Sequence, residues 1–394
     1  MSTVEKTSLR ASTRSVYVTF IFLGVAMASF AARIPQIRDQ LGLTPSQLGL
    51  MLLAIAAGSV TSLPLAGHLV GRFGSRAVVG TFAVVLGSAL AAVAIGYTYG
   101  VIPVVVALYL YGFATGAWDV AMNVQAAVVE RRLGRSIMSR FHAGYSVGTV
   151  AGALIGAGAV KIGISVTVHV VIACVLVVAA VVPAVRWYVT DDVDDTSTPA
   201  DKPSALTAWT EPRTLLIGVF VLAFALTEGA GIDWISIALI DDHGTAASTG
   251  TLGFALFLAA MTVGRWYGPN LLDRYGRVPV LRILAVTGLA GLLVFVFGPT
   301  VPIVFAGALL WGLGASLGFP VGMSAAADDP VKAPARVGVV ASIGYCAFLG
   351  GPPLIGFLGD HVTVSKGLLA VAMLLVLSLA LTPALREPSG SGSR

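Results

Sequence analysis

The feature that most constrains this chain is a series of apolar runs, each long enough to cross a bilayer, separated by short polar breaks. A membrane-spanning helix needs about 20 mostly apolar residues. Twelve stretches meet that requirement, at roughly 15–36, 46–70, 77–97, 102–127, 140–161, 164–187, 213–238, 247–270, 278–298, 302–326, 336–358 and 365–384. The breaks carry turn chemistry: Gly42-Leu-Thr-Pro45, Tyr97-Thr-Tyr-Gly100, Pro299-Thr-Val-Pro302 and Asp360-His361. Thr44 or Ser46 stands where a helix N-cap is needed for the second span. Only 11% of residues are charged, against about 25% in soluble domains, and the mean hydropathy is +0.90. So few charges cannot cover a water-facing surface, so most of the surface is expected to face lipid. Residues 1–14 are polar and basic, and the run after them is too long for a signal peptide, so it reads as the first span.

One segment departs from the pattern. Residues 189–211 contain Asp191-Asp192-Val-Asp194-Asp195, Lys202-Pro203 and Glu211-Pro212, a polar, proline-bearing composition that reads as a linker. The expected organisation is therefore a six-helix bundle over 1–188, a cytoplasmic linker over 189–211, and a second six-helix bundle over 212–394. Orientation follows from the basic residues. Of the 24 Lys and Arg residues, only Arg33, Arg38, Lys161 and Lys366 fall on one side of the membrane. The crowded side is the cytoplasmic one, so both termini are expected inside. This asymmetry accounts for the net charge of +5 and leaves no footprint of nucleic-acid binding.

The two halves repeat. Gly67-His-Leu-Val-Gly-Arg-Phe-Gly-Ser-Arg76 lies between the second and third runs, and Pro269-Asn-Leu-Leu-Asp-Arg-Tyr-Gly-Arg-Val278 lies between the eighth and ninth, about 202 residues later. Two parallel six-helix repeats joined by a cytoplasmic linker resemble the plan of major facilitator transporters. The first loop is similar to that family's signature G-x-L-x-D-R-x-G-R-R/K at Gly67, Leu69, Arg72, Gly74 and Arg76, with Gly71 at the Asp position and Ser75 at an Arg position. The second copy keeps Asp273, Arg274, Gly276 and Arg277 but has Pro269 at the leading Gly. The resemblance implies an all-α membrane protein of twelve transmembrane helices in two pseudo-symmetric bundles, working as a monomer in the plasma (inner) membrane. It also implies an inner gate built from these loops. With Gly71 unable to serve, Asp273 is the expected latch, its partners being the start of the fifth span and Arg140. Ala31-Ala-Arg-Ile-Pro35, Ser139-Arg-Phe-His-Ala-Gly-Tyr-Ser146 and Glu228-Gly-Ala-Gly-Ile-Asp-Trp234 resemble a bacterial sugar- or polyol-permease-like subgroup that includes a rhizopine-associated membrane protein.

Polar residues within the runs are the candidate functional groups, because an ionisable side chain inside a span costs about 2.5–3.5 kcal/mol on insertion scales. At about 100° per residue, Gly112, Gly116, Asp119 and Asn123 share one face of the fourth helix, which marks Asp119 and Asn123 as a solute or proton site or as a helix-tying hydrogen bond. Glu228 and Asp233 flank Gly229-Ala230-Gly231 in the seventh run, where two glycines weaken the helix and a local break is expected. Glu228 reads as a proton carrier or a static buried hydrogen bond. Asp233 lies at a height comparable to Arg33, and because the resemblance implies that the first and seventh spans face each other, the pair reads as an outer gate or as two separate interfacial charges. In the fifth run Gly144, Gly148, Gly152 and Gly156 form a stripe that allows close helix packing. His142 reads as a proton relay or an interfacial hydrogen-bonding residue, and Tyr145 as a residue of the substrate cavity wall.

No phosphate-binding loop, catalytic constellation or metal-ligand spacing occurs, so no cofactor, metal site or catalytic residue is expected. Cys174 and Cys346 lie inside apolar runs and read as small buried residues. The expected function is secondary active transport of a small polar solute (a sugar, polyol or derivative), coupled to protons, with membrane lipid as the surrounding partner. Proton-driven efflux of drugs or metabolites is the alternative, although the antiporter signature is incomplete because Thr149 stands where a Pro is expected. A non-transporting membrane receptor is the remote one.

Overall fold

The computed structural model describes residues 3–134, 137–191, 205–329 and 332–387. Among these, every regular element is helical. Most of the expected linker, residues 192–204, lies outside the described residues, as does Arg135. By contact the chain forms two units, one of Met1–Asp194 with Ala247–Ala255, the other of Asp195–Ala246 with Leu256–Arg394.

The first unit opens with α1 (Thr3–Ala31), which bends at Ala32-Arg33 into the short α2 (Ile34–Leu41). Pro35 stands in the first turn of α2, where its missing N–H costs nothing, and Gly42 ends the helix in the left-handed region at φ 63°. Thr44 caps α3 (Pro45–Gly96): its side chain accepts the Gln47 N–H while the Gln47 side chain accepts the Thr44 N–H, a capping box. α3 has 52 residues, about 78 Å at 1.5 Å per residue, more than twice the ~30 Å apolar thickness of a bilayer. It is interrupted at Gly74, whose φ of 79° and ψ of 155° no helix contains. α4 (Val101–Leu133), α5 (Met138–Lys161) and α6 (Val166–Ala184) complete the unit.

Small residues set the packing of α5. The glycine stripe lies against α1, and a side chain on Gly148 would overlap the Ile21 carbonyl. That close approach is the reason for glycine at this position, in a setting where helices associate by packing rather than by the hydrophobic effect.

The second unit begins, among the described residues, with α7 (Ala205–Ala208) and continues through α8 (Pro212–Asp241), α9 (Ala247–Tyr275, its first turns grouped with the other unit), α10 (Arg277–Phe297), α11 (Val301–Ala315), α12 (Gly318–Ala326), α13 (Ala333–His361), α14 (Val364–Gly367) and α15 (Leu369–Leu381). Gly276 separates α9 from α10 at φ 77° and ψ 166°, close to the conformation of Gly74. Arg72 lies over the Phe73 ring at 5.4 Å and Arg274 over the Tyr275 ring at 5.2 Å. The sequence repeat is thus also a repeat of backbone and side-chain geometry. Among the described residues, eleven helical segments are long and apolar enough to cross a membrane, with Val301–Ala326 counted as one segment and Pro45–Gly96 also as one.

Two expectations are corrected here. α8 is continuous through Gly229-Ala230-Gly231 rather than broken. Gly231 is small because the Phe257 ring of α9 occupies the place of a side chain, and the helix ladder survives. The break lies instead at Ser316-Leu317, between α11 and α12. Its cause is Pro320, which has no N–H for the carbonyl four residues earlier and clashes with it. The second correction concerns the cysteines: Cys174 is buried, but Cys346 is exposed, with its thiol donating to the Ser342 carbonyl at 3.4 Å.

Candidate functional site

The proline break in the second unit creates a polar site. Pro320 cannot bond the Ser316 carbonyl, and Arg265 of α9 does so instead, through Nε at 3.3 Å. The same guanidinium donates from Nη2 to both carboxylate oxygens of Glu228 on α8, each at 2.8 Å. Arg265 and Glu228 are 22% and 17% exposed, and Ser316 is fully buried. Three helical segments therefore converge on one charge-assisted cluster. The positive-charge count places Arg265 among the cytoplasmic residues, whereas the structure places it inside α9, nearly three turns before its end, in service of Glu228. Asp233 is half-buried on α8, five residues beyond Glu228.

In the first unit, Asp119 and Asn123 meet as the one-turn spacing predicts. The Asn123 amide donates to the Asp119 carbonyl at 2.8 Å and to Asp119 Oδ1 at 3.3 Å. Both residues are half-buried. Gly112 and Gly116 on the same helix press against Ile55, Ser59 and Ser62 of α3. The Tyr145 hydroxyl donates to the Met27 sulfur at 2.6 Å, and His142, largely exposed, lies edge-on to Phe20 at 5.1 Å.

Arg33 is 2% exposed at the bend between α1 and α2. Its Nε donates to His169 Nδ1 of α6 at 2.9 Å and its Nη2 to the Ile164 carbonyl at 3.0 Å. Pairing of Arg33 with Asp233 would join residues of different units and remains an expectation, as does pairing of Asp273 with Arg140. Asp273, Arg274, Arg72, Arg76, Gly67 and Arg140 are all exposed.

Around the loop repeats, the carboxylates come from elsewhere than expected. Arg277 donates to Asp328, just past α12, at 2.7 Å, and Arg213 at the start of α8 donates to the other oxygen of Asp328 at 2.7 Å. In the first copy the equivalent position is Ser75. Its N–H and hydroxyl both donate to the carboxylate of Asp191, in the segment after α6. Gln125 completes that cluster; with its amide oriented to satisfy both ends, it donates to the Val189 carbonyl and accepts the Val189 N–H, each at 3.0 Å. Tyr188 donates or accepts at Thr19 at 2.8 Å, and burial pushes its phenol above the usual range. Residues 188–191 are thus stitched onto the first unit. At the other end of the linker, Arg336 donates to Glu211 at 2.6 Å and holds its carboxyl below the usual range.

Sequence reading missed Arg265, His169, Asp191 and Asp328. A signal exists for Arg265, a lone arginine inside the run 247–270, and for the break it serves, a proline in the tenth run four residues after a serine. Among the described residues no group of His, Cys, Asp and Glu is arranged to hold a metal ion.

Two units of membrane-length helices, repeating one loop geometry and each enclosing polar or charged side chains, define a multi-pass membrane transport protein. The chain belongs to the Major Facilitator Superfamily, whose model matches residues 16–233 and 229–393. It is 32% identical over 377 residues to an uncharacterized transporter of Sinorhizobium fredii, covering 95% of this chain and 98% of that protein. It is 31% identical to an uncharacterized transporter of the same superfamily from Yersinia pestis, covering 92% of each, and 28% identical to the membrane protein MosC of Rhizobium meliloti, covering 91% of this chain and 86% of that one. Among solved structures, it shares its fold with a nucleoside transporter (TM-score 0.78, 13% identity, 95% of this chain and 99% of that one). A bacterial homolog of the human lysosomal transporter Spinster gives a TM-score of 0.76 at 13% identity, covering 98% of both.

Proposed function

We propose that the protein is a proton-coupled secondary active transporter of the plasma membrane, moving a small polar solute (a sugar, a polyol or a derivative) by alternating access as a monomer. Twelve spans serve it, the 52-residue α3 acting as two spans divided at Gly74, with both termini cytoplasmic. The observation that carries this reading is the Glu228–Arg265–Ser316 cluster inside membrane-length helices. Charges there are costly and are kept for ion or solute pathways. A proton arriving at Glu228 competes with Arg265 for the same carboxylate, so its arrival loosens α8 from α9 and from the α11–α12 break. Asp119, with Asn123 donating to it, offers a second carboxylate and a set of amide and carboxyl groups suited to hydroxyl-rich solutes. The resemblance to a rhizopine-associated (amino-inositol) subgroup and the likeness to a nucleoside transporter widen the panel worth testing to amino-inositols and nucleosides.

The test is a thermal-shift panel of sugars, polyols, amino-inositols and nucleosides on the purified protein. Transport of any hit then follows in proteoliposomes, with and without a pH gradient. Uptake that concentrates the solute only when a gradient is imposed is expected. Equilibration indifferent to the gradient would remove proton coupling, and gradient-driven uptake retained in Glu228→Gln would remove Glu228 as carrier.

A further inference from the structure

His169 and Arg33 make a pair whose chemistry is tightly constrained. Arg33 Nε donates to His169 Nδ1 at 2.9 Å. A guanidinium has only donors, so Nδ1 must present its lone pair. The ring is therefore neutral with its proton on Nε2. That Nε2 is buried and has no hydrogen-bond partner among the described residues, and the residue as a whole is 6% exposed. A buried N–H without an acceptor weakens the state that contains it.

Besides each other, Arg33 and His169 have Tyr97, after α3, as an ionisable neighbour. Against the ring, α5 presents Gly156, which is not titratable. Lys161 at the end of α5 is exposed, and Arg38 and Asp39 of α2 are paired with each other at 2.6 Å. Within the first unit, among the described residues, no carboxylate lies at ion-pair distance from Arg33.

A proton and Arg33 thus compete for one lone pair. A proton on Nδ1 removes the acceptor and sets two cations side by side. By linkage, whatever holds Arg33 opposes the proton, and the proton expels Arg33 by the same factor. We propose that His169 is a proton-reading positioning residue, which fastens Arg33 and the α1–α2 bend to α6 only while its ring is neutral. Arg33 stands at the N-cap of α2, so loss of this bond leaves the bend between the two helices held only through the Ile164 carbonyl at 3.0 Å. The device is independent of the carried solute and of Asp119 and Glu228.

The test uses the full chain in lipid nanodiscs with labelled histidine. The chain has five histidines, and the His169 signals are those lost in His169→Gln. At pH 8 the nitrogen shifts should report a bare Nδ1 and a protonated Nε2. The titration midpoint should rise by about one pH unit or more in Arg33→Met, as removal of a neighbouring like charge requires. Hydrogen exchange at residues 31–34, corrected for intrinsic rates, should accelerate as the wild-type ring titrates and lose that pH dependence in His169→Gln. A protonated Nδ1 in the wild type at pH 8 would overturn the proposal without any variant. So would equal midpoints in wild type and Arg33→Met, or the same exchange profile in His169→Gln.

Discussion

Arg265 on α9 binds both carboxylate oxygens of Glu228 on α8 at 2.8 Å and the Ser316 carbonyl at 3.3 Å. The pair is held by a backbone acceptor that exists only because Pro320 cannot use it. The geometry sets what each half of the pair is worth. Glu228→Gln leaves a guanidinium without its counter-charge among apolar helices, and Arg265→Gln leaves a carboxylate in the same position. Each is expected to cost roughly 3–5 kcal/mol, the usual penalty for orphaning one member of a buried pair. The double variant removes both charges and should be more stable than either single one. Denaturant unfolding in bicelles of the four proteins measures this, and additive losses would show that the two residues do not act as a unit.

A second expectation separates two glycines on one helix. In α5, a methyl group on Gly148 would overlap the Ile21 carbonyl of α1, while nothing lies within 4 Å of the same group on Gly158. Gly148→Ala should therefore destabilise by about 1–3 kcal/mol through overpacking. Gly158→Ala should be neutral or stabilise by up to about 1 kcal/mol, through the better helix propensity of alanine. Equal effects at both positions would mean that α5 does not seat on α1 through its glycine stripe.

How far these features can be seen in advance depends on whether their cause is local. The spans are legible because lipid requires long apolar runs, and the loop repeat because Gly74 and Gly276 need a backbone that glycine supplies. The Asp119–Asn123 contact is legible because one helical turn brings the two together. Glu228 is legible as a costly carboxylate, but its partner is not. Arg265 lies 37 residues away and near enough to a loop to be counted with the cytoplasmic charges. The glycines of α8 point to a break there, whereas neighbouring side chains fill their space and a proline in α12 does the breaking. His169 is a single histidine in an apolar run, and only the fold brings it to Arg33. Asp191 looks like one acid among several in a linker until its hydrogen bonds to Ser75 are seen.

The start of the second unit carries a pH expectation. Glu211 accepts from Arg336 at 2.6 Å and from the Thr214 hydroxyl at 2.9 Å, with Lys332 at 3.8 Å. Chiefly through the Arg336 hydrogen bond, partly opposed by burial, its folded-state pKa lies below the ordinary value of 4.5. A depressed carboxylate stabilises the fold fully above its unfolded pKa, and that contribution is lost as pH falls through the folded value. Stability should therefore drop as pH is lowered below 4.5, and Glu211→Gln should show a shallower drop over that acid range. Parallel curves for the two proteins would mean that the carboxylate is not linked to folding.

Asp191 invites the last test, because the two loop copies solve one problem with different carboxylates. After Gly276, α10 starts with Arg277 bound to Asp328, just past α12. After Gly74, the second arm of α3 starts with Ser75, which has no charge to offer but has a free first-turn N–H. Asp191 accepts that N–H and the Ser75 hydroxyl together, as an N-cap side chain would, although it lies 116 residues further along the chain. Asp191→Ala should cost about 1 kcal/mol, the typical value for losing a cap. Because Gln125 and Arg132 also hold residues 189 and 190, the loss should also show locally. Protease cleavage within residues 188–191 should quicken, and hydrogen exchange in the first turn after Gly74 should rise. Ser75→Ala should reproduce only the part carried by the hydroxyl, since its N–H remains, and the double variant should be less than additive. If Asp191→Ala loosens the linker but leaves exchange after Gly74 unchanged, the carboxylate anchors the linker without capping the helix.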